Sequence, residues 1–367
     1  MKILVCVYEY YPKGSGIANV AYYVVENLRK RGHECTVLSS NSGDIALNYD
    51  KKIKRYAGIG LLLFWRKTRE YIIKNYDNYD LIWIHNPLFL GKINPKKVYA
   101  TVHTSYVKYW DLYKNNKDYS RALKTYYFFM RKLEERCYRQ NKFKSNVISP
   151  AVVEELTTLG ISKKNITYIP NGVDTKVFCP AKSRKENKIK KLICVGRVSY
   201  QKNPYGLIRA IQELNKDKQK VEFSWIGDGE LLEALRKYVI DNKIKGAKFI
   251  GKIQHDKIRS IYQQGDVYIL ASIYEGQPLT MLEAMSTGLP CIVSDIENMA
   301  HIIRESKCGK VVNFDDPKKA AKEIDAYINS KKLELDKKKV REYSVKNLDW
   351  SRITDRYEEE WKKIVKK

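Results

Sequence analysis

The sequence contains no Cys-x-x-Cys pair, no Asp-x-Asp pair, no Gly-x-Ser-x-Gly and no Gly-x-x-x-x-Gly-Lys-Ser/Thr loop. Its seven cysteines are thus not spaced as a redox dithiol, and no Cys/His cluster has zinc spacing. Cys6, Cys194 and Cys291 fall within apolar, strand-like runs, where a thiol is a small core residue in a reducing cytoplasm. No apolar run approaches the ~18 residues of a membrane span; GLLLFW, from Gly60 to Trp65, falls far short. The opening MKILVCVYEYYP has a charged start and an apolar stretch, but Glu9 and Pro12 follow at once. It is expected to be a first strand rather than a signal peptide.

Acidic residues are also scarce, 42 against 69 Lys and Arg, for a net charge of +27. The excess is spread through the chain, with 30 basic against 15 acidic residues in 1–180 and 39 against 27 in the remainder. Nucleic-acid binders usually concentrate such charge in one arm or stripe, so no nucleic-acid partner is expected. The 28 tyrosines and many lysines point to a broad compositional bias. The charge still favours an anionic substrate or an anionic membrane surface.

What is present is a repeated alternation of short apolar runs with helical segments. At 367 residues the chain is expected to form two domains with a parallel sheet in each. The most informative stretch is DVYILASIYEGQPLTMLEAMSTGLPCIVSD, from Asp266 to Asp295. Val267 to Ala271 has the length of a buried strand, and Pro278 suits the first position of a helix. Gly288 and Pro290 end that helix, and Cys291 to Ser294 forms the next strand. In such sheets ligands bind beyond the carboxyl ends of strands. There, the free N–H groups of Leu279 and Thr280 favour an anion, and Gly276 permits close backbone approach.

Two carboxylates flank this anion-friendly end. Glu275 precedes it, and Glu283 lies a little over one turn inside the helix, with its side chain leaning back towards the crevice. An ionised carboxylate only accepts hydrogen bonds, so hydroxyl groups are its natural ligands. A ligand with phosphates in the middle and polyols on both sides fits: a nucleotide sugar. A bare pair of glutamates carries no such information; the whole string does.

The string S-x-x-E-G-x-P-L-x-x-L-E-A-M-S-x-G-x-P resembles the donor motif of retaining glycosyltransferases of family 4. That resemblance implies the GT-B fold, two Rossmann-like domains whose parallel sheets face a central cleft. It extends over essentially the whole chain and is weakest at residues 40–130. YYPKGSGIANVAYYVVENLRKRGHECTVL resembles the family's opening; its first glycine is Ser15 here, so Gly16 is the position carried over. T-V-H-T resembles a segment whose histidine, His103 here, lies beside the reacting carbon. GRVSYQKNP resembles the segment in which Arg197 and Lys202 grip the donor diphosphate. Independently, two cations at a strand's carboxyl end beside a helix start suit a leaving diphosphate. KFIGKI brings Ile253 to the border of the nucleobase, Glu275 with Gly276, Gln277, Leu279 and Thr280 would hold the sugar and phosphates, and Glu283 the ribose. After Ser294-Asp295 the family's usual glycines and glutamate are replaced by Glu297, Asn298 and His301.

The expectation is therefore a glycosyltransferase moving a sugar from a UDP- or GDP-sugar to an acceptor hydroxyl with retention, in cell-surface glycan or glycolipid synthesis. No cofactor beyond the nucleotide-sugar donor is expected, and, without an Asp-x-Asp pair, no metal. A sugar-nucleotide epimerase of the same fold is the alternative. The expected domains are residues 1–180 on the acceptor side, 181–347 for the donor, with AKSRKENKIKK as linker, and a helix at 348–367 returning to the first. The stripe Leu61, Phe64, Trp65, Thr68 and Ile72 is expected to pack into the core, with an interfacial face as its alternative. The aromatic and basic stretch at 105–132 is expected on the surface. A cytoplasmic chain with such a surface can dock on the inner face of a membrane and reach a lipid-linked glycan.

Overall fold

The computed structural model describes residues 1–12, 14, 16–47, 58–116, 119–183 and 187–365. They form two compact units, one comprising 1–171 with 350–367 and the other 172–349.

In the first unit the order is β1 (Lys2–Cys6), α1 (Gly16–Lys30), β2 (Glu34–Ser39), β3 (Ile45–Ala46), α2 (Ile59–Asn75), β4 (Leu81–His85) and β5 (Val98–Val102). There follow α3 (Tyr106–Tyr113), α4 (Arg121–Asn141), β6 (Lys144–Val147), α5 (Ala151–Thr158) and β7 (Ile166–Tyr168). The strands make one parallel sheet in the order β3-β2-β1-β4-β5-β6-β7. β4 and β5, LIWIH and VYATV, are buried at every position, as expected of strands covered by helices on both faces. On α2, Phe64, Trp65, Thr68 and Ile72 of the expected stripe are buried, and Leu61 is half-buried against the same core.

In the second unit the order is β8 (Lys190–Val195), α6 (Pro204–Leu214), β9 (Val221–Ile226), α7 (Leu232–Asp241), β10 (Ala247–Gly251), α8 (His255–Gln264) and β11 (Val267–Leu270). Then come α9 (Leu279–Ser286), β12 (Cys291–Ser294), α10 (Glu297–Ser306), β13 (Gly309–Val312), α11 (Pro317–Ile328) and α12 (Lys331–Asn347). The sheet is again parallel, in the order β10-β9-β8-β11-β12-β13. Proline opens both α6 and α11, where its missing N–H costs nothing. Asp256 lies in the first turn of α8, which begins at His255.

The boundary between units corrects the expectation drawn from composition. It falls at Asn171/Gly172 rather than 180/181. Val173 bridges to Asp349, and Phe178 is buried in the second unit's core, so the segment after Gly172 belongs to that unit. The lysine-rich stretch is no simple linker: Lys190 and Lys191 already pair with Val221 and Glu222 in the sheet. Residues 184–186 of it lie outside the described residues.

The helix α13 (Trp350–Val365) belongs to the first unit, beginning at Trp350 rather than at 348. Trp350 stacks on Tyr23 of α1 at 5.3 Å between ring centres, and Trp361 and Tyr357 pack against Trp83 of β4. Below them Trp83 Nε1 donates to Thr101 Oγ1 at 2.7 Å, and Asn146 Nδ2 donates to Tyr357 OH at 3.1 Å. Each of these buried polar groups finds its partner inside the unit, as burial demands.

Candidate functional site

In the second unit the predicted donor residues gather at the carboxyl ends of β8 and β11. β8 and β9 leave the sheet so close together that a Cβ on Gly227 would lie 2.0 Å from the carbonyl oxygen of Gly196; only glycine fits. At this edge Arg197 is exposed, and its guanidinium has no hydrogen-bond or ion-pair partner among the described residues. Lys202 closes a one-turn helix over Tyr200–Lys202. That turn is tied to the donor loop: Ile273 N donates to Gln201 O at 2.9 Å, and Gln201 Nε2 to Tyr274 O at 2.8 Å.

Glu275 is buried and makes an ion pair with Lys202, while Ser272 Oγ donates to the same carboxylate oxygen at 2.7 Å. A nearly dry cation–carboxylate pair of this kind is tight only because each charge compensates the other. Pro278 precedes α9, whose first amides to bond backwards are those of Met281 and Leu282, both to Pro278 O. The amides of Leu279 and Thr280 have no backbone acceptor among the described residues, as at any helix start. Thr280 Oγ1 is 2.8 Å from Tyr268 OH.

Glu283 is also buried, and both its oxygens are occupied. Tyr262 OH donates to Oε2, and His255 Nε2 lies 3.1 Å from Oε1. The carboxylate beside it raises the pKa of His255 above its ordinary value. Ile253 is half-buried against the core just before α8. Gly276 and Gln277 lie in the loop; Asn298 Nδ2 donates to Gly276 O at 3.3 Å. Asn298 and His301, where the sequence departs from the family pattern, are buried on α10. Of the substituted residues, Asn298 thus braces the loop, while His301 Nδ1 lies 2.6 Å from Glu297 O within α10.

In the first unit Gly16 is the exposed first residue of α1. His103, just after β5, is buried, and its Nε2 lies 3.0 Å from His85 Nδ1 with the two rings nearly parallel. Burial lowers the pKa of His103 to about 3 and that of His85 well below its ordinary range, so both rings are neutral at pH 7. Asn86 holds the His103 backbone, its Oδ1 accepting from His103 N at 2.8 Å. His85 is packed at the end of β4, yet its Nε2 has no hydrogen-bond partner among the described residues.

A cavity of about 260 Å³ opens at the carboxyl ends of β1, β4 and β5, with His85 and Glu134 in its wall. Glu134 is buried on α4, and Tyr106 N at the start of α3 donates to its Oε2 at 2.8 Å. Burial pushes this carboxyl up to about 8. Sequence reasoning missed Glu134, and it missed His255, Tyr262 and Ser272. Glu134 sits in a heavily charged helix, RKLEERCYRQ, and only its place in the apolar stripe with Met130 and Cys137 sets it apart. Among the described residues no three His, Cys, Asp or Glu side chains gather as a metal site.

These two parallel-sheet Rossmann-like units, with the donor loop at one sheet's carboxyl edge, define a GT-B glycosyltransferase. The group 1 glycosyltransferase family matches residues 178–344, and the family 4 glycosyltransferase model matches residues 14–177. The chain belongs to the group 1 glycosyltransferase family and is a glycosyltransferase (EC 2.4). It is 27% identical over 353 residues, 90% of this chain and 87% of the relative, to the UDP-Gal:alpha-D-GlcNAc-diphosphoundecaprenol alpha-1,3-galactosyltransferase of Escherichia coli. It is 23% identical to alpha-monoglucosyldiacylglycerol synthase of Streptococcus pneumoniae, covering 82% of this chain and 72% of that one. The fold is similar to that of sucrose-phosphate synthase from Thermosynechococcus elongatus, with a TM-score of 0.73 at 16% identity over 99% and 98% of the two chains.

Proposed function

We propose that this glycosyltransferase moves a sugar from a nucleotide-diphosphate donor, a UDP- or GDP-sugar, to a hydroxyl of a glycan or lipid-linked glycan, with retention of anomeric configuration. The observation that carries the reading is the convergence of Lys202, Glu275 and the free amides of Leu279 and Thr280 on one sheet edge, beside the unpaired Arg197. The relatives named for a UDP-galactose donor and for glycolipid synthesis support the same reading.

In this reading the diphosphate draws Lys202 away from Glu275 and completes its grip with Arg197 and the α9 amides. These groups stabilise the negative charge that grows on the leaving nucleotide, a contribution that is often the largest in catalysis. Glu275, released from Lys202, accepts from hydroxyls of the transferred sugar, and Glu283 from those of the ribose. His103, neutral and held by Asn86 and His85, provides an uncharged polar surface beside the reacting carbon. No metal is required, because the cations and amides supply the charge. A thermal-shift screen of UDP- and GDP-sugars, followed by transfer assays with EDTA, tests the proposal. Donor-dependent stabilisation and EDTA-resistant transfer are expected; activity lost on chelation and restored by Mg²⁺ would overturn the metal-free reading.

We further propose that the acceptor is reached at an anionic membrane surface. Among the described residues no helix is long and apolar enough to cross a membrane. The α3–α4 hairpin exposes Phe128 and Phe129, with Trp110 edge-on to Phe128 at 5.4 Å. Lys108 on α3, Lys114 just after it and Arg121 on α4 are exposed; Lys117 lies outside the described residues. Cations near an anionic leaflet contribute ~1 kcal/mol each. Flotation with anionic vesicles is expected to recover more protein than with neutral ones at low salt. Equal recovery leaves a soluble acceptor.

A further inference from the structure

The cavity in the first unit has a chemistry of its own. Its wall joins aromatic faces from Tyr8, Trp65 and Tyr106 to polar groups from Glu9, His85 and Glu134. At about 260 Å³ it is smaller than the ~300–1,000 Å³ of pockets for drug-sized ligands, so it suits a single ring. Aromatic faces cover the apolar C–H face of a sugar, while polar groups at the rim fix its hydroxyls.

Two features point to a ligand rather than to packing alone. His85 is 2% exposed, lies in the cavity wall, and has an Nε2 with no partner among the described residues. A buried polar atom left in this way calls for a partner, and a ligand hydroxyl in the cavity would provide it. Glu134, 4% exposed, uses Oε2 to accept from Tyr106 N, and its carboxyl keeps further hydrogen-bonding capacity.

The charge of the wall is as informative. No lysine or arginine is among its described lining residues, whereas two carboxyl groups are. The imidazoles beside it are neutral, and Glu134 at pH 7 is largely protonated, since burial holds its pKa at about 8. An uncharged hydroxyl finds both donors and acceptors here. A phosphate or carboxylate finds no cation among the described lining residues and faces Glu9.

We propose that this cavity receives one uncharged sugar ring of the acceptor, with hydroxyls on His85 Nε2 and Glu134, and rejects rings bearing a carboxylate or phosphate. The proposal rests on the glycosyl-transfer reading above and adds to it the class of acceptor. The neutral ring would also lie against the His85–His103 pair, which links the acceptor's position to the histidine placed at the reacting carbon.

The test uses the full chain without donor. Methyl glucopyranosides and methyl galactopyranosides are compared with methyl glucuronide and glucose 6-phosphate by saturation-transfer NMR and by tryptophan fluorescence. At least one neutral glycoside is expected to bind with a Kd on the order of 1–10 mM, with the anionic sugars at least about tenfold weaker. His85→Phe keeps the ring but removes the nitrogens, and is expected to weaken binding about tenfold, the loss of roughly one hydrogen bond. If His85→Phe does not fold, Glu134 supplies the comparison: Glu134→Ala weakens binding similarly, while Glu134→Gln, which keeps a donor and an acceptor, restores it. Equal or tighter binding of the anionic sugars overturns the proposal. So does unchanged affinity in the folded variants, or no saturable binding by any neutral glycoside up to on the order of 10 mM. Nucleotide-diphosphate binding in the same samples reports on the donor site. Its absence sinks the glycosyl-transfer reading while the glycoside result stands on its own.

Discussion

The candidate donor site and the first-unit cavity keep their polar groups in opposite states. In the second unit the site's two buried carboxylates are already satisfied: Lys202 pairs with Glu275, and His255 and Tyr262 occupy Glu283. In the first unit His85 keeps a nitrogen unpartnered among the described residues, and burial holds the two histidines neutral and Glu134 largely so at pH 7. The contrast follows from the ligands each would take. A charged ligand can displace charged partners, because it supplies the replacement charge itself. A neutral ligand has only hydrogen bonds to offer, so its site must keep hydrogen-bonding capacity in hand.

Lys202→Ala breaks this comparison at its strongest point. It removes a proposed phosphate ligand and leaves Glu275 buried without its cation, which costs ~3–5 kcal/mol of stability. Melting temperature and turnover are both expected to fall, and Lys202→Ala/Glu275→Gln is expected to recover stability without activity. Full stability in Lys202→Ala would mean that the ion pair is not formed in solution.

Arg197→Ala separates catalysis from folding. Arg197 is exposed and unpaired, so its loss is expected to leave the melting temperature within about a degree while kcat falls by ~2–4 kcal/mol of activation free energy, the cost of removing one preorganised group that stabilises developing charge. Unchanged kcat removes Arg197 from the diphosphate grip.

Glu134 sharpens the comparison from the cavity side through pH. Its folded pKa is raised, so its contribution to stability is complete below about 4.5 and is lost as pH rises through about 8. The native state binds the extra proton in that window, and stability therefore falls with rising pH. Thermal melts between pH 6 and 9 are expected to decline in the wild type and to flatten in Glu134→Gln. Parallel curves would place the carboxyl in contact with water.

The smallest effect is expected at His255. Its folded pKa is raised by Glu283, so the stability it contributes is present below the unfolded value near 6.5 and is lost as pH rises through the folded value. The side chain is 55% exposed, and after solvent screening the pair is worth at most about 1 kcal/mol. If Glu283 receives the ribose as proposed, protonated His255 competes with it, so donor affinity is expected to weaken on acidification in the wild type and less so in His255→Ala. Identical pH profiles would show that His255 does not compete with the donor.

The candidate donor site was legible because one strand–loop–helix step carries Glu275, Gly276, Pro278 and Glu283 within nine residues, so local spacing alone brings them together. The Lys202–Glu275 pairing was not legible, since it needs the neighbouring positions of β8 and β11 in the sheet. The cavity was still less so: Glu9, Trp65, His85, Tyr106 and Glu134 come from five distant segments, and the long-range packing that joins them leaves no periodic trace. The fold class followed from apolar runs of strand length alternating with helices. The unit boundary did not, because lysine-rich composition at 181–191 resembles a linker even where Lys190 and Lys191 enter a strand.

The position of α13 also bears on how the chain comes to be folded. Tyr357 and Trp361 cover Trp83 in the first unit, yet all of residues 172–349 are made before them. At ~5–20 residues per second, the ribosome needs on the order of ten seconds or more to cross that interval. Throughout it, the aromatic face around Trp83 and Tyr99 has no helix to bury it. The nascent first unit therefore presents a ready-made client surface for chaperones, one that disappears only when translation has passed Trp361.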